Sequence, residues 1–366
     1  MSTSYITAIG TANPPNKVAQ TQIASFMSKS LQLDKAEERR LRMLYKSTAI
    51  DFRYSVIKDY AMLADFDFFP NTSDLEPFPS TATRMKLYEQ HASDLCIKAI
   101  DNCLQDKDLI KKITHLITVS CTGMYAPGID IEIIEKLGLP THTQRICINF
   151  MGCYAAINAL KVANAICKAD KQACVLIADV ELCTLHFQKE NTENHLLANA
   201  IFADGAGAML VQAQKAGGKA ISLEGFYCDL AFEGKNDMAW FVRDFGFEMR
   251  LSSYVPQLLE NKMKELIFRL LNQFDLDLAS IDTLAIHPGG KKILETAEKI
   301  LALPTEKNKY AYEVLRNFGN MSSVTIIFVL KNILENFNFQ RNTANVLSMA
   351  FGPGLTVESA LMKIHR

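Results

Sequence analysis

Asn149-Phe150-Met151-Gly152-Cys153 leads directly into a helical pattern, Tyr154 to Lys168, that carries Ala155, Ala156, Ala159, Leu160, Val162, Ala163, Ala165 and Ile166. That pattern is apolar nearly all round, so the helix is expected to be buried between layers of structure. Gly152 permits a tight turn into the helix, which would place the Cys153 thiol at a helix N-terminus. Unpaired amides and the positive end of the helix dipole favour a thiolate there. Alone, such a cysteine reads as a small core residue.

Working outward, the same arrangement recurs. The apolar strand Leu116 to Ser120 precedes a loop with Gly123, a helical stretch and then the Asn149–Cys153 segment. Much later, the strand Leu284 to His287 precedes Gly289-Gly290, a helical stretch and then Asn317-Phe318-Gly319-Asn320. The offsets agree: 153 minus 120 is 33, and 320 minus 287 is 33. Further strand-length apolar runs occur at Tyr5 to Ile9, Ala173 to Ala178, Ala208 to Val211 and Asn345 to Met349, and a second helical pattern covers Thr83 to Cys103. Alternating strands and helices predict a layered α/β fold. The matching offsets predict a duplication of one α/β unit. The loop Gln212 to Lys219, with Gly217-Gly218, divides the halves into residues 1–213 and 214–366. A two-fold repeat brings equivalent strand ends and helix starts to one axis, and so gathers Cys153, His287 and Asn320.

Those three side chains make a nucleophile, a base and an oxyanion donor, the equipment for carrying acyl groups on sulfur. His287 ends a strand before Pro288-Gly289-Gly290, where proline stops the ladder. A satisfied core histidine is the bland alternative, and helix capping is that for Asn320. Weaker features surround them. Asp204-Gly205, in Phe202-Ala203-Asp204-Gly205-Ala206-Gly207, reads as a turn and lacks a full dinucleotide fingerprint. Gly352-Pro353-Gly354 reads as a rigid turn whose glycines let backbone approach a ligand. Cys183 and His186 lack the partners a zinc site needs, so no metal is expected. Arg39, Arg42 and Lys46 share a helix face, either a solvated surface or a phosphate contact.

Composition narrows the setting. The chain has 366 residues, 49% apolar, enough for a large core. A net charge of -1 gives no reason to expect nucleic acid or anionic membranes as partners. The first residues lack a signal peptide pattern, and no apolar run reaches the roughly 18 residues of a spanning helix. Nine scattered cysteines without a C-x-x-C pair suit reduced thiols and a cytoplasmic location.

The segments Gly152-Cys153, Ala285-Ile286-His287-Pro288-Gly289-Gly290, Gly319-Asn320-Met321-Ser322-Ser323 and Phe351-Gly352-Pro353-Gly354-Leu355-Thr356-Val357-Glu358 resemble those of type III polyketide synthases, the chalcone and stilbene synthase superfamily. The resemblance implies a homodimeric, five-layered αβαβα thiolase-like fold that takes acyl-CoA starters and malonyl-CoA extenders as substrates, without a cofactor. It implies a triad of Cys153, His287 and Asn320, with Phe202 as aromatic gatekeeper and Ser322 beside the cavity. It assigns Arg39, Arg42 and Lys46 to the CoA phosphates and the Gly352-Pro353-Gly354 turn to the cyclisation pocket. Departures from the plant pattern stand at Met249, in place of a second gatekeeper phenylalanine, and at His186 and Trp240, in place of smaller residues. Ala126 stands where plant enzymes have a long side chain, in a loop of bacterial type. These changes predict an aliphatic starter and an alkylpyrone or alkylresorcinol product. The rival readings are the ketoacyl-carrier-protein synthase that starts fatty-acid synthesis, a non-catalytic partner subunit, and a papain-type protease.

Overall fold

The computed structural model of the chain describes residues 3–215, 217–252 and 255–366. Two half-sheets share one topology. In the first, the spatial order is Gln144–Asn149, His115–Ser120, Cys174–Leu182, Asp204–Gln212, Ser4–Ala12. In the second it is Thr283–Ile286, Thr343–Gly352, Thr356–His365, Ala220–Leu230. In the first, three parallel strands are followed by antiparallel ones; in the second, a parallel pair is. A short antiparallel junction, Ser4 opposite Leu223 to Ile6 opposite Ile221, joins the halves into one nine-stranded ladder.

The helices Ala155–Ala169 and Val324–Asn336 each touch strands of both halves and form the central layer. Small residues let the first pack this closely: Ala155, Ala156, Ala159 and Ala163 are all fully buried. Helix Thr81–Cys103 covers the first half-sheet, and helix Val255–Asn272 covers the second, with Lys291–Leu301 packed on it. The result is the expected αβαβα order of a thiolase-like fold. Strand Cys174–Leu182 shows how the layers divide. Leu176, Ala178 and Val180 join the cluster under the outer helix, whereas Val175 and Ile177 join that of the central layer. By the same alternation, Asp179 and Glu181 point into the central layer, two carboxyls in an apolar setting.

The repeat is less regular than its spacing suggests. In the first half, helix Ile129–Leu137 and strand Gln144–Asn149 lead to the Cys153 turn. In the second, the helices Lys291–Leu301 and Lys309–Phe318 lead to Asn320, with no strand between. Both routes span the same number of residues. Asp204-Gly205 also departs from expectation. It is no turn; it opens strand Asp204–Gln212, with Asp204 buried and accepting hydrogen bonds from the Val56 and Thr184 amides (both 2.8 Å).

Candidate active site

The nucleophile turn is built from left-handed backbone. Phe150 (φ 63°) and Gly152 (φ 86°) both adopt positive φ. At Phe150 that conformation is strained. At Gly152 a Cβ would also lie 2.2 Å from Pro353 Cδ, so glycine is required twice over. Gly352 in turn packs where a Cβ would meet the Tyr154 ring at 2.6 Å. The turn Gly352-Pro353-Gly354 therefore lies against the nucleophile turn. The close approach expected toward a ligand is made to the Cys153 loop instead, and only Phe351 of this segment lines the main cavity.

Cys153 sits two residues before the first helical residue, Ala155, and is buried. Burial pushes its thiol up to about 12, opposed by a hydrogen bond from Ser322. Desolvation thus works against the thiolate expected at the helix N-terminus. His287 follows strand Thr283–Ile286, anchored by its amide to Met349 O (2.7 Å). Its ring is buried with both nitrogens unpaired among the described residues, and burial alone pulls its pKa down to about 3. Burial therefore favours the neutral form of both groups.

Asn320 is held from three directions. Its backbone bridges Phe202, with Asn320 N donating to Ile201 O (2.9 Å) and Ala203 N to Asn320 O (2.8 Å). Its Oδ1 accepts from the Ser322 amide (2.9 Å), which fixes the side-chain amide, and Nδ2 donates to Gly289 O (3.2 Å). One amide hydrogen remains for a ligand. The bridge makes the Phe202 and Asn320 positions a single unit. Arg53, itself buried, clamps it by donating to Phe202 O (2.6 Å) and Asn199 O (2.9 Å).

Cys153, His287, Asn320, Phe202 and Met249 all line one cavity of about 950 Å³. The expected triad and both gatekeeper positions therefore converge. His186 and Trp240 line a separate compartment of about 40 Å³ that shares only Phe202 and Met249 with the first. His186 stacks on Phe247 (centroids 4.2 Å apart, 7° between planes). Its Nε2 pairs with Thr122 O (2.7 Å), and its Nδ1 accepts from Phe247 N (3.0 Å). Trp240 Nε1 donates to Cys121 O (2.8 Å). These rings are satisfied wall material.

Other expectations are displaced. Ala126 is exposed and lines neither cavity, because its loop runs to the outer edge beside helix Ile129–Leu137. Helix Lys35–Ser47 turns Arg40, Leu41 and Leu44 to the main cavity, whereas Arg39, Arg42 and Lys46 are exposed outside its wall. Arg42 is occupied by Glu38 (2.7 Å) and Ser25 (3.3 Å).

A polar net behind Cys153 had no signal in the sequence. Ser323 Oγ lies between Asp179 Oδ1 (2.9 Å) and Glu181 Oε1 (2.7 Å). Glu181 Oε2 accepts from the Cys121 amide (3.0 Å) and Thr122 Oγ1 (2.8 Å). One hydroxyl hydrogen cannot serve two carboxylates, so the pair holds at least one proton. Burial raises both carboxyls, each opposed by Ser323.

The description "Chalcone and stilbene synthases, N-terminal domain" matches residues 2–215, and its C-terminal counterpart matches residues 229–365. The chain belongs to the chalcone and stilbene synthase family. Among curated relatives, the alpha-pyrone synthesis polyketide synthase-like Pks18 of Mycobacterium tuberculosis is 29% identical, covering 99% of this chain and 92% of the relative. A putative chalcone synthase of Bacillus subtilis is 28% identical over 98% of both. The crystal structure of PKS-I from the brown alga Ectocarpus siliculosus superimposes with a TM-score of 0.89 at 26% identity, covering 99% of this chain and 98% of that one. This chain is accordingly a type III polyketide synthase, an acyltransferase of the condensing kind, in a family whose members in general use acyl-CoA and malonyl-CoA. Among the described residues, no helix is long and apolar enough to cross a membrane.

Proposed function

We propose that Cys153 carries the growing chain, with His287 and Asn320 activating it and stabilising the enolate. One neutral ring nitrogen of His287 takes the thiol proton as sulfur attacks the starter thioester and CoA leaves. Malonyl-CoA then presents its thioester oxygen to the His287 N–H and the remaining Asn320 amide hydrogen. Loss of carbon dioxide leaves an enolate held by those two donors. Its carbon attacks the Cys153 thioester, and the lengthened chain passes to CoA and back to sulfur. The apolar face of Phe202 disfavours the malonyl carboxylate. These steps ask for no metal or redox cofactor.

The observation that carries this reading is the isolation of His287. A buried imidazole with both nitrogens unpaired is costly as structure and useful only against a ligand.

The starter is an aliphatic acyl-CoA, and the product an alkylpyrone or alkylresorcinol. Support comes from the middle of the cavity, walled by Leu196, Leu197, Met249, Leu251, Val255 and Ile293, and from the filling of the adjoining space by His186 and Trp240. The name of the Mycobacterium tuberculosis relative points to the pyrone. Each buried methylene contributes about 0.8 kcal/mol where the wall is dry. The test is kcat/KM for saturated acyl-CoAs from acetyl to palmitoyl, with an aromatic acyl-CoA beside them and products read by mass spectrometry. Affinity rises with chain length until the cavity ends; preference for the aromatic starter would remove the proposal.

The working form is a cytoplasmic homodimer. Strand Gln144–Asn149 is a sheet edge, paired on one side only, and Met124, Ile131, Ile146 and Met151 are exposed around it. The Ala126 loop lies on this same face. Ile146→Asp is expected to shift the sedimentation of the protein toward the monomer.

A further inference from the structure

Helix Glu193–Ile201 ends inside the protein, directly before Phe202. Its last four carbonyls have no partner within the helix and must find one elsewhere. Ala198 O accepts from the Phe202 amide (3.2 Å), and Asn199 O from Tyr45 Oη (3.1 Å) and Arg53 Nη1 (2.9 Å). Ala200 O accepts from Gln20 Nε2 (2.7 Å), and Ile201 O from the Asn320 amide (2.9 Å). The last turn of the helix has no basic residue of its own. A cation comes instead from strand Phe52–Ser55, as Arg53.

Arg53 is 4% exposed, and its hydrogen bonds go to neutral acceptors: Gln20 Oε1 (2.9 Å), Asn199 O and Phe202 O (2.6 Å). The oxygens of Asp204, the carboxyl whose charge it feels, are taken up by Val56 and Thr184. A guanidinium buried without a bonded carboxylate is costly. The negative end of the helix offsets that cost, since a cation is favoured there. The grip of Arg53 reaches both chains of the Phe202–Asn320 bridge. Its guanidinium holds Phe202 O, and its stem lies against Gly319, where a Cβ would be 2.9 Å from Arg53 Cγ. Cys153 and His287 rest on other elements, the Pro353 ring and the Met349 carbonyl.

Resting on the reading of Asn320 as an enolate donor, we infer that Arg53 is a positioning residue for decarboxylation. It holds the helix end to which Asn320 is bridged, and it has no part in loading Cys153. The Asn320 side chain is fixed on its own backbone by the Ser322 amide, so the remaining amide hydrogen moves wherever residues 201–203 move. That hydrogen meets charge that develops only as carbon dioxide leaves. A displaced donor therefore lowers kcat and spares KM.

The experiment follows two steps in Arg53→Met, which keeps a stem against Gly319 and removes the charge and its donors. One is carbon dioxide release from malonyl-CoA; the other is acylation of Cys153 by a saturated acyl-CoA, read by intact mass. Carbon dioxide release is expected to fall in kcat on the order of 10- to 100-fold, the cost of a small misplacement. KM for malonyl-CoA and acylation of Cys153 stay near wild type. Arg53→Lys, which keeps the charge, falls between. In the Asn320→Ala background Arg53→Met costs about threefold at most, because coupled residues do not add. Normal decarboxylation in Arg53→Met overturns the inference. So does an equal loss of both steps, or a full further loss in the double variant, either of which means a general packing role. If Arg53→Met does not fold, Gln20→Ala decides: it removes the Arg53 Nε partner and the Ala200 O cap, and a smaller loss confined to carbon dioxide release is expected. No such loss overturns the inference. Wild-type decarboxylation by Asn320→Ala alone removes the Asn320 reading itself, whereas a slow Asn320→Ala beside a normal Arg53→Met removes only the role of Arg53.

Discussion

The two halves contribute to one site in opposite styles. Behind Cys153, the first half supplies Glu181 and Thr122, and Ser323 joins them in a net where nearly every polar atom has a partner. The second half supplies His287, whose ring has none among the described residues. Both regions are equally buried, so burial is not what separates them. Polar groups that hold the structure are satisfied within it, and the group that waits for substrate is left unsatisfied. Asp179 Oδ2 is the exception in the net, an unpaired oxygen on a carboxyl that burial favours in its protonated form.

The largest expected effect tests the division of labour. Cys153→Ala abolishes condensation, while malonyl-CoA decarboxylation survives in part, because His287 and Asn320 still hold the enolate. Asn320→Ala does the reverse, slowing decarboxylation on the order of 10²- to 10³-fold while Cys153 still alkylates with iodoacetamide. Mass spectrometry and carbon dioxide release follow the two steps separately. Condensation by the alanine variant of Cys153 would dissolve the contrast.

A smaller effect concerns pH. His287 titrates near 3 when folded and 6.5 in its ordinary state. A depressed pKa contributes stability that is present above 6.5 and is lost as pH falls toward 3. His287→Gln removes that loss, so between pH 7 and pH 4.5 it gains about 2–3 kcal/mol on the wild type in urea unfolding. No relative gain would mean that the imidazole is solvated or paired in solution. The smallest effect lies in the net: Ser323→Ala leaves two carboxyls without their shared hydroxyl, at a cost of about 1–3 kcal/mol. It leaves Cys153 alkylation intact. A stability cost within error would show that the two carboxyls bond to each other directly.

The sequence was most informative where chemistry coincides with backbone punctuation. Gly152, Gly289-Gly290 and Gly319 mark turns at fixed offsets, and those offsets alone suffice to group Cys153, His287 and Asn320. The sheet halves were legible for a similar reason, since buried strands show as apolar runs. Glu181 was not legible. It is the penultimate residue of a strand buried on both faces, where alternation between faces leaves no polar-apolar pattern to read. Arg40 shares one helix face with Leu41 and Leu44, and Arg39, Arg42 and Lys46 share another equally regular one, so periodicity does not choose between them. Only packing against helix Glu193–Ile201 decides which face looks inward. Gly352-Pro353-Gly354 was recognised as a rigid turn, but its contact with Gly152 spans two hundred residues of sequence and no local pattern records it.

That contact also has a bearing on the order of synthesis. The nucleophile turn leaves the ribosome well before the segment that braces it. Its strand, Thr356–His365, then pairs along its whole length between Ala220–Leu230 and Thr343–Gly352. A nascent chain therefore has its thiol, its imidazole and its carboxamide in place while the Cys153 turn still lacks the Pro353 ring on which it rests. Until Pro353 is made, the growing chain holds every reactive group and still lacks the ring against which the Cys153 turn packs.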